Sequence, residues 1–129
     1  MQNENIQLIL PASKDFEEVA QTTIAHLAIR RGFTLSEVED LRLIMAETTG
    51  LLLKSQQSKN IYLSYEVTKE YLTLEAHLDE SSINPLPLEG IEQFTKVVGE
   101  LLDNFQIDNE KNHIYMKRTD WVTETNLSP

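Results

Sequence analysis

Two runs of alternating apolar residues constrain this chain most: Ile61, Leu63, Tyr65 and Val67, then Leu72, Leu74, Ala76 and Leu78, with Lys69-Glu70 between them. Successive side chains of a strand point to opposite faces, so each run carries one apolar face and one polar face. So short a connection joins two strands only as a hairpin, and a hairpin implies an antiparallel sheet with one buried face and one wet face. A second layer must cover the buried face.

Three segments of helical period are available to form that layer. Ser13 opens the first, and Phe16, Val19, Ala20, Thr23, Ile24, Leu27 and Ala28 make its apolar stripe up to Arg30-Arg31-Gly32, a basic last turn with a glycine stop. Thr34-Leu35-Ser36-Glu37 has the spacing of a capping box, and Val38, Leu41, Ile44, Met45, Thr48 and Leu52 carry the second helix to about Lys54. Ile91, Phe94, Val97, Val98, Leu101 and Leu102 predict a third from about Leu88 to Asn104. Ile6, Leu8 and Leu10 alternate as a first strand stopped by Pro11. Gln106 and Ile107 start a further strand, and residues 113–117 alternate as the last. The expected fold is α+β: a two-layer α/β sandwich with a mostly antiparallel sheet and three helices on one face. It forms one domain over residues 1–119, with a loose tail at 120–129.

Charge and composition narrow the function. A net charge of -10 argues against direct nucleic-acid binding, which needs a basic surface to displace counterions, and favours a basic protein partner. The absence of cysteine excludes disulfides, thiolate zinc sites and cysteine nucleophiles, and is compatible with a reducing cytoplasm. No run approaches the length of a membrane span, and Met1-Gln2-Asn3-Glu4-Asn5 does not resemble a leader, so a cytoplasmic protein is expected. His26, His77 and His113 have no metal-ligand spacing, so no metal site is expected, and with four glycines no phosphate-cradling loop is hidden.

Leu10-Pro11-Ala12-Ser13, the amphipathic helix to Arg31, Asp40-Leu41-Arg42-Leu43, Ala46-Glu47, residues 101–107 and the closing strand to Arg118 stand in an order that resembles the bacterial anti-sigma factor and serine-protein kinase family. That resemblance implies the Bergerat, or histidine-kinase-like, ATPase fold over nearly the whole chain. It also implies a Glu-x-x-x-Asn helix in which the glutamate is the general base and the asparagine ligates magnesium. Glu47 takes the place of the base, but four residues on stands Leu51, which has no lone pair for a hard cation.

The family's adenine-binding Asp-x-Gly-x-Gly becomes Asp79-Glu80-Ser81-Ser82-Ile83, with both glycines gone. Ser81 and Ile83 add bulk where backbone should approach the ligand. Strand parity puts Leu78 on the core face and Asp79 on the opposite one, unless a bulge near the strand end turns Asp79 inward. The resemblance thus implies a degenerate site: Glu47 a vestigial base that reads as a solvated helix residue, Asp79 a displaced adenine ligand, and no cofactor, with Mg-ATP expected only if the pocket is intact.

The implied function is regulatory binding, an anti-sigma-like protein held to a sigma factor or its antagonist, with homodimers common in such a family. A family arginine of the first helix that contacts sigma falls here at Gln21, the candidate partner-binding position. The alternatives are an active ATP-dependent serine-protein kinase and a purely structural pseudo-ATPase.

Overall fold

The computed structural model describes residues 4–54, 58–68, 70–79, 86–102, 104–108 and 110–119. These form β1 (Glu4–Pro11), a 3-10 turn (Lys14–Phe16), α1 (Glu17–Arg30), α2 (Leu35–Leu53), β2 (Asn60–Val67), β3 (Leu72–Leu78), α3 (Leu88–Val98), β4 (Asn104–Asp108) and β5 (His113–Arg118). The sheet has the order β1-β2-β3-β5-β4, and every neighbouring pair is antiparallel. After β3 the chain passes through α3 to the far edge, and the β4–β5 hairpin then returns it beside β3.

The β2–β3 hairpin closes through its own turn chemistry. Val67 lies opposite Leu72, the Thr68 amide donates to the Tyr71 carbonyl at 2.9 Å, and the Thr68 hydroxyl accepts from the Tyr71 amide at 3.0 Å. Ile61, Leu63, Tyr65 and Val67 are all buried, as are Leu72, Leu74, Ala76 and Leu78 across the ladder. Their alternate neighbours are partly or fully exposed. The buried face therefore meets the helices and the other faces water. Within this core the fully buried Tyr65 donates its hydroxyl to the Ala20 carbonyl of α1 at 3.1 Å, a polar tie between sheet and helix.

Both long helices have chemically specified ends. Glycine supplies the stop of α1: Gly32 adopts φ 84°, its amide bonds the Ile29 carbonyl at 3.1 Å, and the Phe33 amide reaches the Ala28 carbonyl at 3.1 Å. That pair of bonds is a Schellman motif, and the buried Phe33 seals it. At the start of α2 the Thr34 hydroxyl accepts from the Glu37 amide at 3.2 Å, and the Glu37 carboxylate accepts from the Thr34 amide at 3.0 Å. The other Glu37 oxygen lies 3.6 Å from Arg118 at the end of β5, and Arg118 also approaches Asp40 at 3.9 Å.

Three expectations need correction. The first helix does not begin as α-helix at Ser13: that side chain accepts from the Asp15 amide to cap a 3-10 turn, and Phe16 and Val19 remain 39% and 42% exposed. The third helix ends at Val98, six residues before Asn104, and a turn follows in which the Leu101 and Leu102 amides both bond the Val98 carbonyl. Leu102 stays in the core from this turn, and Phe105 reaches Phe94 edge to face at 5.9 Å, so the apolar period outlasts the helix that it suggests. Arg30 and Arg31 also hold Glu4 of β1, at 2.8 and 3.6 Å, beyond any match to the helix dipole. The expected tail at 120–129 lies outside the described residues.

Replacing Tyr65 with Phe should lower the unfolding free energy by about 1 kcal/mol near neutral pH, the usual net worth of one buried hydrogen bond. Burial pushes the Tyr65 phenol above its ordinary 10.0, so ionisation favours the unfolded chain once pH exceeds that ordinary value. The wild-type advantage should be constant below pH ~10 and shrink above it, as urea titrations at pH 7 to 11 would measure.

Candidate functional site

The region where the family resemblance would put a nucleotide site is built from the second half of α2, the end of β3 and the first turn of α3. Glu47 is half-buried on α2, and among the described residues no hydrogen bond or ion pair engages its carboxylate. One turn on, Leu51 is 3% exposed. Its neighbour is Gly90 of α3, where a Cβ would stand 2.9 Å from Leu51 Cδ1, 3.2 Å from Pro87 Cγ and 3.3 Å from Lys54 Cδ. Glycine is thus what lets the first turn of α3 settle on α2, with Leu51 filling the contact. Leu86, just before α3, and Leu78, at the end of β3, are both 2% exposed.

This arrangement does not fit magnesium and a nucleotide phosphate. A metal needs oxygen ligands near 2.1 Å, and at the position one turn after Glu47 it meets a buried hydrocarbon packed on a second helix. The two buried threonines after Glu47 are engaged locally. Thr48 donates to the Ile44 carbonyl at 2.7 Å, and Thr49 donates to the Met45 carbonyl at 3.1 Å and lies 3.5 Å from Glu17 of α1. No group of three His, Asp or Glu side chains that could hold a metal occurs among the described residues.

Asp79 follows the parity read from the strand and lies off the core face. Its carboxylate accepts from the Lys59 amide at 2.8 Å, and its own amide donates to the Ser58 hydroxyl at 2.9 Å. These bonds latch the entry of β2 to the exit of β3, which accounts for the residue structurally. The Lys59 amide, then the Tyr62 hydroxyl, hold the Asp79 carboxyl below its ordinary 3.8. Ser81 and Ile83 lie outside the described residues.

Gln21 is half-buried on α1, one turn after Glu17, and so shares the flank that meets Thr49 of α2. No hydrogen bond or ion pair joins Glu47, Asp79 and Gln21 to one another among the described residues. Sequence reasoning missed Gly90 as the place where α3 packs on Leu51 of α2 and Arg118 as the clamp on Glu37. The signal for the first was present, since a glycine inside an apolar helical pattern often marks a tight packing contact. The second joins residues 81 positions apart with no pattern linking them.

Neither protein-family models nor curated proteins match this chain. No helix among the described residues is long and apolar enough to cross a membrane.

Two measurements test this geometry. Leu51→Asn, which would recreate the polar pair with Glu47, should cost about 3 kcal/mol in urea unfolding, because it buries an amide and removes core hydrocarbon. It should also confer no magnesium-dependent nucleotide binding. Because the native Asp79 carboxyl titrates below its unfolded value, its latch is intact above pH ~4 and is lost as pH falls through the lower, folded value. Asp79→Asn should therefore flatten the acid limb of the stability profile between pH 5 and 2, and an unchanged limb would assign that limb to other carboxylates.

Proposed function

We propose that this chain is a degenerate relative of the anti-sigma factor and serine-protein kinase family. On this reading it has the histidine-kinase-like ATPase fold, acts in the cytoplasm, and binds a sigma factor or its antagonist by protein contact without nucleotide chemistry. Supporting the fold assignment are the element order and the antiparallel sheet with helices on one face. So does the capping-box helix that carries Glu47. The observation that carries the loss of chemistry is Leu51, buried against Gly90 where a metal ligand should stand. A net charge of -10 favours a basic partner, since complementary charge steers encounter. Gln21 cannot offer the bidentate donors of a guanidinium, so the partner contact through α1 differs from the arginine-based one.

Calorimetric titration with Mg-ATP should give no binding below millimolar concentration. Micromolar affinity would overturn the degenerate-site reading and restore an active kinase with Glu47 as its base. Co-purification against the host's sigma factors and their antagonists should recover one member of either set. Recovery of none would leave the domain as a pseudo-ATPase serving assembly alone.

A further inference from the structure

The face of the sheet turned away from the helices carries the side chains that alternate with the core. Along β3, β5 and β4 these fall in register: Glu75, Tyr115 and Gln106 form one row, and His77, His113 and Asp108 form the next. Between the rows lies a hollow of about 340 Å³ lined by Glu75, Gln106, Asp108, His113 and Tyr115. Tyr115 stands in the middle of its row, with Glu75 across from it on one strand and Gln106 on the other. The hollow therefore offers two carboxylates, an amide carbonyl and an aromatic ring, all on short or rigid supports from three strands.

Both carboxylates keep free acceptor capacity. Asp108 closes the β4–β5 turn through Oδ1, which accepts from the Glu110 and Lys111 amides at 3.1 and 3.2 Å, and its Oδ2 has no hydrogen bond among the described residues. The ion contact of Glu75 among the described residues is with His113, whose Nε2 lies 3.9 Å from Oε2, beyond hydrogen-bond length. The His113 ring is held at 5.9 Å and 69° from His77, which stacks on Tyr62 at 4.9 Å and 8°. One row along, the same face shows what such a setting holds. There Lys117 lies 4.6 Å from the centre of the Tyr71 ring, and the Tyr71 hydroxyl donates to the Glu66 carboxylate at 3.3 Å. Ring and acid together hold a cation at that place. At Tyr115 and Glu75 the ring and the acid recur, and among the described residues no lysine or arginine engages them.

We propose that this hollow receives an arginine side chain from a partner protein. The guanidinium plane lies against the ring of Tyr115, two of its N–H groups meet the Glu75 carboxylate as a fork, and a further N–H reaches Asp108 Oδ2. Five donors in one plane suit acceptors spread over three strands, whereas the three donors of a lysine ammonium diverge from a point. The net charge of -10 steers such a basic segment towards the protein. Tyr65, on the core face, bonds α1, so α1 lies on the other side of the sheet from this hollow. The contact is thus separate from the one that the regulatory reading places at Gln21, and it stands or falls without that reading.

The blocked peptide Gly-Arg-Gly, titrated into the full chain and followed by NMR, should shift the ring protons of Tyr115 and His113 and saturate in the millimolar range that one anchored side chain supplies. Gly-Lys-Gly should bind about fivefold more weakly. Glu75→Gln and Tyr115→Leu should each weaken the arginine peptide about fivefold, whereas Glu66→Gln, on the same face, should leave its affinity unchanged. None of the three positions belongs to the core, so circular dichroism should match the native chain in every variant. Equal affinity for the two peptides would reduce the hollow to unspecific charge and overturn the proposal. So would shifts centred on another face, full affinity in Glu75→Gln, or no shift of Tyr115 at peptide concentrations up to about 20 mM.

Discussion

Ile61, Leu63, Tyr65 and Val67 of β2 share one face with Leu72, Leu74, Ala76 and Leu78 of β3, and the covering of that face by α1 and α2 is the interaction on which the rest of the fold depends. Burying one such Val, Leu or Ile side chain contributes roughly 1.5–3 kcal/mol, so the six in register outweigh any single polar contact in the molecule. Polar groups serve instead to set position. The Tyr65 hydroxyl locates α1 at Ala20, the Glu37–Arg118 contact locates the start of α2 over the end of β5, and Glu4 holds the end of α1. Each is satisfied at a helix end or inside the core, where a misplaced helix would leave a polar group unpaired.

That layering also decides the fate of the region around Glu47. α2 must lie flat on the sheet to bury Ile44, Met45, Thr48 and Leu52, and this leaves Glu47 and Leu51 on flanks that another element can reach. α3 reaches Leu51, because Gly90 removes the side chain that would hold the two helices apart. A hydrocarbon at position 51 and a glycine at position 90 are therefore complementary, and either change alone would open or overfill the contact. Apolar packing alone joins the two helices at this point.

Period-2 and period-3.6 patterns made the hairpin, α1 and α2 readable from composition along the chain, because each pattern has a face that only one secondary structure can bury. The capping box marked the start of α2, and strand parity put Asp79 off the core face. Where reading went astray, two different structures satisfied the same pattern. Leu101 and Leu102 continue the helical period of α3, yet a turn back to the Val98 carbonyl delivers Leu102 to the same core. Phe16 and Val19 continue the stripe of α1 but stay exposed, Val19 along the groove beside β1. The latch of Asp79 on Lys59 and the clamp of Arg118 on Glu37 were illegible because each joins residues distant in sequence through one contact without a periodic signature.

On the proposed reading of a filled cleft, what can regulate such a domain changes. A ligand shifts a conformational equilibrium only by its differential affinity for the two states, and the proposed reading gives a nucleotide no site from which to exert one. On that reading a change of state comes from protein partners acting by mass action, each stabilising the form that it binds by an amount set by its concentration relative to its dissociation constant. Among the described residues, surfaces open to such partners include the edge of β1 and the adjoining face of α1, whose groove shares no lining residue with the Leu51–Gly90 contact. Competition between partners for that one face would provide the switching that nucleotide turnover provides elsewhere. It would need no strained or mobile element, only two ligands of the same edge present in different amounts.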